Sequence, residues 1–466
     1  MRVLLVDPQY VGEHDRTVEA LSGVLPSIGM LSVAAVLRRD GHDVSVLDCQ
    51  FHSMGSALAE VAHCQADLVA ISLSGPWSAK ELALAGEAKQ SGAIVVVGGP
   101  FATVNPQECL SSGDVDLLTL GESEETMREL CHLISNGFDR SRVRGIQYIA
   151  CDTLQRTPER KPIADLDALP MPAWDLVPVE RYFSPSVSRT CKESIVLVTS
   201  RGCPWRCSFC SQTVFGHSLR TRSPRLVVEE MRYLRERHGK RDFMFFDDVF
   251  TVPRKRVESF CRMLMEEEMD VAWGCVTRAD LLDRPLLDLM KRAGCYEVGF
   301  GVESGSQAML DRIGKELSLK TIWRAARDIR NAGLRAKAFF IIGLPGESRE
   351  QVMQTLRLAE SLPVDFPLIT FYQPIRGTPG YAEAQRSGTI LNNYGSDPLA
   401  RQRSLNFVPD SLDEAFLSEM YRQAYRRIYW HPRRVLRYIL RHARSLDDLE
   451  KGISSVRQFL RASARR

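Results

Sequence analysis

A chain of 466 residues is about three domains' worth of sequence and has room for more than one hydrophobic core, which excludes a peptide or a small stapled module. With 44% hydrophobic and 26% charged residues, and no apolar run near the ~20 residues that cross a bilayer, the composition is that of an ordinary globular protein with no membrane span. The start of the chain, Met1-Arg2-Val3-Leu4-Leu5-Val6-Asp7, has one basic residue and a short apolar stretch; it reads as a first strand rather than a signal peptide, so a cytoplasmic location is expected. The 12 cysteines are then in a reducing compartment, where thiol or metal chemistry is the better reading than a disulfide framework. Net charge is +3, but residues 421–466 hold thirteen Lys/Arg against three Asp/Glu, so the rest of the chain is net acidic. That basic segment reads as a solvated helical face, and without a nucleic-acid motif no nucleic-acid partner is assigned.

Over residues 1–150, short β-branched runs alternate with helix-period stretches. Residues 3–7, 43–48, 67–72, 93–99 and 115–121 read as buried parallel strands, separated by helices such as Gly29–Asp40 and Ser78–Ser91. This pattern predicts a doubly wound sheet, whose ligands bind beyond the carboxyl ends of the strands. The residues there are Asp7, Ser72, Gly98-Gly99 and Gly121-Glu122. Residues 151–193 are rich in proline (Pro158, Pro162, Pro170, Pro172, Pro178, Pro185) and read as a linker kept out of sheet interiors.

A second β/α series fills 194–380, with strands expected at 194–200, 242–248, 271–277, 297–303, 336–343 and 368–374. Its helices include Arg225–His238, Arg254–Glu268, Leu319–Ala332 and Arg349–Ser361. Six such units imply a partial (β/α)6 barrel with function at the strand ends. Residues 381–466 are irregular and then helical and basic, through Glu414–Tyr429 and Arg433–Arg444. The fold class is therefore α/β: an N-terminal doubly wound parallel sheet, a partial (β/α)6 barrel and a helical C-terminal segment.

Directly after the first strand of the second series stands Arg201-Gly202-Cys203-Pro204-Trp205-Arg206-Cys207-Ser208-Phe209-Cys210. A tight loop has no apolar interior in which to bury Cys203, Cys207 and Cys210, so they read as ligands of a metal centre. Structural zinc takes four ligands, usually as two separated pairs, whereas a [4Fe–4S] cluster held by three thiolates keeps one iron open. Cys191, twelve residues before Cys203, is a weaker candidate for a fourth thiolate; Cys261, Cys275 and Cys295 lie in apolar patterns and read as buried small hydrophobes.

A CxxxCxxC loop at the end of the first strand of such a barrel resembles the radical S-adenosylmethionine (radical SAM) superfamily. The resemblance implies a [4Fe–4S] cluster on the three cysteines, with S-adenosylmethionine chelating the open iron and cleaved to a 5′-deoxyadenosyl radical. It implies that Phe209 lies against the adenine, that Asp247 and Asp248 hold the methionine amino group, and that Arg278 meets the methionine carboxylate. The run Gly299–Ser306, with Glu303 and Ser304, resembles the family's ribose motif; Phe340–Glu347, with Ile341 and Gly343, resembles its adenine-binding motif.

A doubly wound domain ahead of this barrel is similar to the cobalamin-binding subclass, a resemblance that extends to the turn Gly377-Thr378-Pro379 and to Tyr429-Trp430-His431-Pro432. Relatives with a lower axial histidine carry DxHxxG after the first strand. Here Asp7 and Gly12 keep that spacing, but Gln9 stands at the histidine position and is no imidazole ligand, which implies a base-off cobalamin. Ser72, Ser74, Gly98 and Gly99 are placed to line its nucleotide tail. His14, His42, His52 and His63 have no metal-like spacing, and His217 reads as structural. The resemblance implies cobalamin-dependent C-methylation of a small molecule of secondary metabolism, with electrons from an external reductant such as flavodoxin or ferredoxin. The rival readings are a cobalamin-independent radical dehydratase, cyclase or epimerase, for example on an aminosugar diol, and a non-catalytic iron–sulfur protein.

Overall fold

A computed structural model describes residues 1–9, 23–75, 78–135, 139–185, 189–391 and 404–429. The expected helix Arg433–Arg444, the segment Trp430-His431-Pro432, Gly12 and His14 lie outside these residues.

Five runs rich in Val, Leu and Ile form β1 (Arg2–Asp7), β2 (Asp43–Asp48), β3 (Leu68–Ser72), β4 (Ile94–Gly98) and β5 (Leu117–Thr119), all parallel. Their order, β2-β1-β3-β4-β5, places a topological switch between β1 and β3. Successive side chains of a strand point to opposite faces, so one strand supplies two cores. Leu4, Val6, Val69 and Val95 pack under α2 (Met54–His63) and α3 (Ala79–Gln90). Val3, Leu5, Leu68 and Val96 pack under α1 (Ile28–Arg39) and α6 (Glu124–Ser135). Two short helices, α4 (Pro100–Val104) and α5 (Pro106–Leu110), follow β4.

The sheet continues with two antiparallel strands that the sequence reading lacked, β6 (Ile146–Ala150) and β7 (Thr153–Arg156). Cys151 and Asp152 turn between them with φ of 48° and 58°, the left-handed pair a two-residue hairpin needs. Thus the first residues of the anticipated linker form an exposed edge strand, where a lack of apolar alternation is natural. Nor does the rest of 151–193 merely wrap. Trp174 is fully buried in the core of the second sheet and donates Nε1–H to Glu230 at 2.8 Å, and Phe183 forms a β-bridge with Val24.

The second sheet is formed by β8 (Ser194–Leu197), β11 (Asp242–Phe245), β12 (Ala272–Thr277), β13 (Cys295–Glu303), β14 (Arg335–Ile342) and β15 (Phe366–Phe371), all parallel and in sequential order. A two-stranded ribbon, β9 (Ser200–Arg201) with β10 (Arg220–Thr221), stands at the end of β8. Helices α7 (Pro224–His238), α8 (Arg254–Glu266), α9 (Arg284–Arg292), α10 (Gln307–Arg312), α11 (Leu319–Asn331) and α12 (Arg349–Ser361) connect the strands. Phe245, Phe250, Phe260 and Trp273 form an aromatic cluster between sheet and helices, with ring centroids 4.6–5.9 Å apart. After β15 come α13 (Pro379–Ser387), the hairpin β16 (Gly388–Ile390) with β17 (Phe407–Pro409), and α14 (Glu414–Tyr429). Among the described residues no helix is long and apolar enough to cross a membrane.

Candidate functional site

Residues 202–219 form a loop closed by β9 and β10, and this loop carries all three clustered cysteines. It opens at Gly202, whose φ is +87° and where a Cβ would stand 2.5 Å from the Ser218 carbonyl oxygen; only glycine satisfies both constraints. The Cys203 N–H donates to Gly216 O at 3.3 Å and the Cys210 N–H to Cys207 O at 3.1 Å. The loop is tied to the barrel by Ser208 N–H to Ile313 O at 2.9 Å and by Gly380 N–H to Ser208 O at 2.8 Å. Arg278 stacks its guanidinium 4.3 Å from the Trp205 ring centroid, between Cys203 and Cys207 in sequence. His217 Nδ1 lies 3.3 and 3.2 Å from the carbonyl oxygens of Cys203 and Trp205, the structural role the sequence reading gave it.

Cys203 and Cys207 are half-buried and Cys210 is exposed. Burial pushes the Cys203 and Cys207 thiols up; Arg278 acts against this at Cys203, and Lys315 and Arg278 act against it at Cys207. Arg278 and Lys315 are thus cations held beside the cysteines, which suits anionic metal–thiolate ligation. Among the described residues no three His, Cys, Asp or Glu converge on a single ion. Three soft donors on one loop fit a [4Fe–4S] cluster, in which each thiolate binds a different iron. Cys191 cannot join them: it precedes β8 and neighbours Asp242, the first residue of β11, at the opposite end of the sheet. Cys261, Cys275 and Cys295 are buried in the core as read.

Glu303 ends β13 at a register shift and has φ +65°, rare for a residue with a side chain. Its carboxylate folds back over Gly301, where any Cβ would collide with it, and Oε1 accepts from Lys315 Nζ at 2.6 Å. Lys315 Nζ stands 5.9 Å from the ring centroid of Phe209, which packs half-buried against the core. Arg278 is buried, with Nε on Asp280 at 3.1 Å and Nη2 on Lys315 O at 2.9 Å. Ile341 is half-buried near the end of β14. Gly343 follows it at φ +80°, and its N–H donates to Glu347 at 2.7 Å.

Two of the expected S-adenosylmethionine contacts, Asp247 and Ser304, already hold hydrogen bonds within the protein. Asp247 is buried and both carboxylate oxygens accept from Thr199, from its N–H and its hydroxyl, each at 2.6 Å, which ties the aspartate to the residues just after β8. Ser304 is fully buried, its hydroxyl shared with Thr355 at 3.2 Å and with the Ser306 N–H at 3.1 Å. Asp248, next in sequence, points the other way, is exposed, and accepts from the Gly202 N–H at the mouth of the cysteine loop.

In the first domain, Asp7 ends β1 opposite Asp48 of β2. Burial, reinforced by the neighbouring Asp48, pushes the Asp7 carboxyl up to about 8; Oδ1 accepts from the Gln9 N–H at 3.1 Å, and among the described residues Oδ2 has no hydrogen-bond partner. Gln9 reaches across the switch between β1 and β3 to donate to Ser74 Oγ at 3.2 Å. Ser72 ends β3 half-exposed, in register with Gly98. Gly98 and Gly99 are required by the fold itself. A Cβ at Gly98 would collide with Thr119 Oγ1, and one at Gly99, where φ is +98°, would lie 2.7 Å from Leu73 O. An orphaned buried carboxyl oxygen and a hydrogen-bonded Gln9 and Ser74, all at the switch point, make a polar crevice that fits a cofactor with many amide groups.

The two ligand-binding ends meet. A Cβ added at Gly121, after β5, would meet Val214 O of the cysteine loop at 3.4 Å, and one at Gly377 would meet both Val104, after β4, and Thr213, at 3.5 and 3.7 Å. Glu122 and Glu124 form buried ion pairs with Arg201, and Glu122 with Arg220. Sequence reasoning placed Glu122 among ligand residues; it is turned instead to the other domain. Lys315 gave no sequence signal, because its partner Glu303 is brought to it only by the strand-end bulge.

The radical SAM superfamily profile matches residues 197–359, and the B12 binding domain profile matches residues 17–131. The chain is a radical SAM enzyme carrying an N-terminal B12-binding domain, with the cofactor set and α/β fold class expected from its sequence. Within that class it is 29% identical over 456 residues, 95% of each chain, to an uncharacterized methyltransferase of Pyrococcus horikoshii. It is also 29% identical over 446 residues, 92% of this chain and 77% of the other, to the anaerobic magnesium-protoporphyrin IX monomethyl ester cyclase of Rubrivivax gelatinosus. The fold is shared with the radical S-adenosylmethionine methyltransferase TsrM of Kitasatospora setae, solved with cobalamin and a [4Fe–4S] cluster. The TM-score is 0.73, at 18% identity over 90% of each chain.

Proposed function

We propose that this enzyme transfers a methyl group to a carbon of a small molecule, using cobalamin in its first domain and a radical generated in its second. The observation that carries the reading is the apposition of the two ligand ends: loops after β4 and β5 touch the cysteine loop and the turn after β15. One chamber thereby serves both cofactors. When bound, the cluster supplies the electron that splits S-adenosylmethionine, and cobalamin supplies the methyl group.

The chain's own residues bind, orient and exclude. Cys203, Cys207 and Cys210 hold the cluster and leave one iron open. Arg278, fixed by Asp280 and the Lys315 carbonyl, presents a cation beside the cysteine loop for the methionine carboxylate. Glu303 and Lys315 provide an oriented acceptor and donor at the end of β13, and Asp248 takes the amino-group role left by Asp247. Phe209, Ile341 and Gly343 line the adenine side. Phe246 and Ile375 are exposed apolar side chains after β11 and β15, where they reduce the water in the chamber. Gln9, held on Ser74, stands where a lower axial histidine would and gives cobalamin no imidazole from that position. An external reductant such as flavodoxin or ferredoxin provides the electron.

The test is anaerobic reconstitution with iron, sulfide and cobalamin, followed by incubation with reductant, S-adenosylmethionine carrying a deuterated methyl group, and a small-molecule extract of the source cells. The reading expects 5′-deoxyadenosine, S-adenosylhomocysteine and a product bearing the deuterated methyl. Full turnover by cobalt-free protein, with no label in the product, overturns it in favour of a radical dehydratase or cyclase.

A further inference from the structure

The loop that carries the three cysteines has an arginine at each root. Arg201 and Arg220 are register partners on the β9–β10 ribbon, so two guanidinium groups stand side by side at its base. Like charges directly opposite on paired strands repel. The acids that relieve the repulsion belong to the first domain. Glu122 lies between the two arginines, Oε2 to Arg201 Nη1 at 3.2 Å and Oε1 to Arg220 Nη1 at 2.5 Å, while Glu124 takes Arg201 Nη2 at 2.5 Å. The side chains of Arg201, Arg220, Glu122 and Glu124 are only 11%, 8%, 4% and 3% exposed. Glu122 Oε2 also accepts from the Ile163 N–H, and Arg220 donates to the carbonyls of Ile163 and Phe215, so that Glu122 Oε1 meets Arg220 as an ion pair without a hydrogen bond among the described residues.

Glu122 is tied in turn to the ligand end of its own domain. The preceding residue, Gly121, donates its N–H to Thr103 Oγ1 at 3.4 Å, and the Thr103 hydroxyl donates to Gly99 O at 2.9 Å. A path of two hydrogen bonds, the Gly121–Glu122 peptide linkage and the ion pairs of Glu122 therefore runs from Gly99 to both roots of the cysteine loop. Buried, fully paired charges add little net stability but fix geometry tightly, because each alternative arrangement leaves a buried charge unpaired.

We propose that Glu122 is a positioning residue through which the B12-binding domain sets where the cysteine loop stands. Its carboxylate, together with that of Glu124, neutralises the two root arginines and thereby fixes the spacing between the cluster and the cobalamin. This rests on the reading that both cofactors bind.

The measurement is the magnetic dipolar coupling between cob(II)alamin and the singly reduced cluster, by pulsed electron paramagnetic resonance on full-length, anaerobically loaded protein, alongside iron and cobalt analysis. Wild type is expected to give one narrow distance distribution. Glu122→Gln keeps the shape but removes the charge; it is expected to retain iron and cobalt while losing that single narrow distribution, with Glu122→Asp recovering it in part. If Glu122→Gln does not fold, Arg220→Lys, which keeps the charge and loses the fork, is read in the same way. An unchanged distribution in a fully loaded variant overturns the positioning role alone. Failure of wild type to load cobalamin overturns the underlying reading instead.

Discussion

Lys315 Nζ lies 2.6 Å from Glu303 Oε1, and both side chains are buried beside the loop that carries Cys207. The pair is made possible by two local departures from regular structure, the left-handed backbone of Glu303 and the missing side chain of Gly301. Removing one partner of a buried pair leaves the other uncompensated, a cost of about 3–5 kcal/mol. Lys315→Met and Glu303→Gln, each of which leaves a buried charge without its counter-charge, are therefore both expected to lower thermal stability markedly. If Glu303 also contacts S-adenosylmethionine, Glu303→Gln weakens its binding by roughly tenfold or more, the worth of a charged hydrogen bond. Equilibrium binding of S-adenosylmethionine, measured beside the melting temperature, separates the two effects.

The three clustered cysteines belong to none of the three hydrophobic cores. Replacing all three with Ala is expected to leave the circular dichroism spectrum intact while abolishing bound iron, the visible absorption of the cluster and 5′-deoxyadenosine formation. Formation of 5′-deoxyadenosine by the triple variant would remove the assignment of these residues.

Gly202 combines a positive φ with a carbonyl 2.5 Å from where a Cβ would stand. Gly202→Ala must therefore open the base of the cysteine loop, at a cost on the order of 1–3 kcal/mol. The expected readout is reduced iron content after reconstitution in a protein whose sheets remain folded. Full iron loading at wild-type stability would show that the turn relaxes freely.

Glu347 is fully buried, and burial pushes its carboxyl up to about 8, opposed by the N–H groups of Leu344 and Gly343 on Oε2. Among the described residues Oε1 has no hydrogen-bond partner. Between the unfolded value of 4.5 and about 8 the folded chain holds a proton that the unfolded chain has lost, so stability falls as pH rises through that window and levels off above it. Glu347→Gln keeps the acceptor for both N–H groups and cannot ionise. Melting temperatures at pH 6 and pH 9 should differ less in the variant than in wild type, and equal differences would show that Glu347 is not the group responsible.

Much of the fold was legible because its signals are local. The β-branched runs of β1 to β5 and the six strands of the second series announce themselves within a few residues, and strand β2 and helix α12 fall at the limits read from the sequence. The β6–β7 hairpin escaped because an exposed edge strand, Thr153–Arg156, has no buried face to impose alternation. Trp174 and Tyr182 escaped as core residues because their partners, Glu230 and Asp48, lie far away in the chain.

The sequence by itself determined the donor set: three thiolates at CxxxCxxC spacing, with acids, arginine and glycines at successive strand ends, and glutamine where a histidine ligand would stand. Spacing along a chain limits which side chains share a loop or a strand end, so chemistry of this kind survives without coordinates. Only the tertiary structure decided which of those groups are free to act. Asp247 and Ser304 are hydrogen-bonded to Thr199 and Thr355, Lys315 is recruited by a bulge, and Glu122 crosses to the arginines at the base of the cysteine loop. The reason is physical: a side chain's direction and its competing partners are set by long-range packing, because every buried charge must find a counter-charge or hydrogen bond wherever the fold places one.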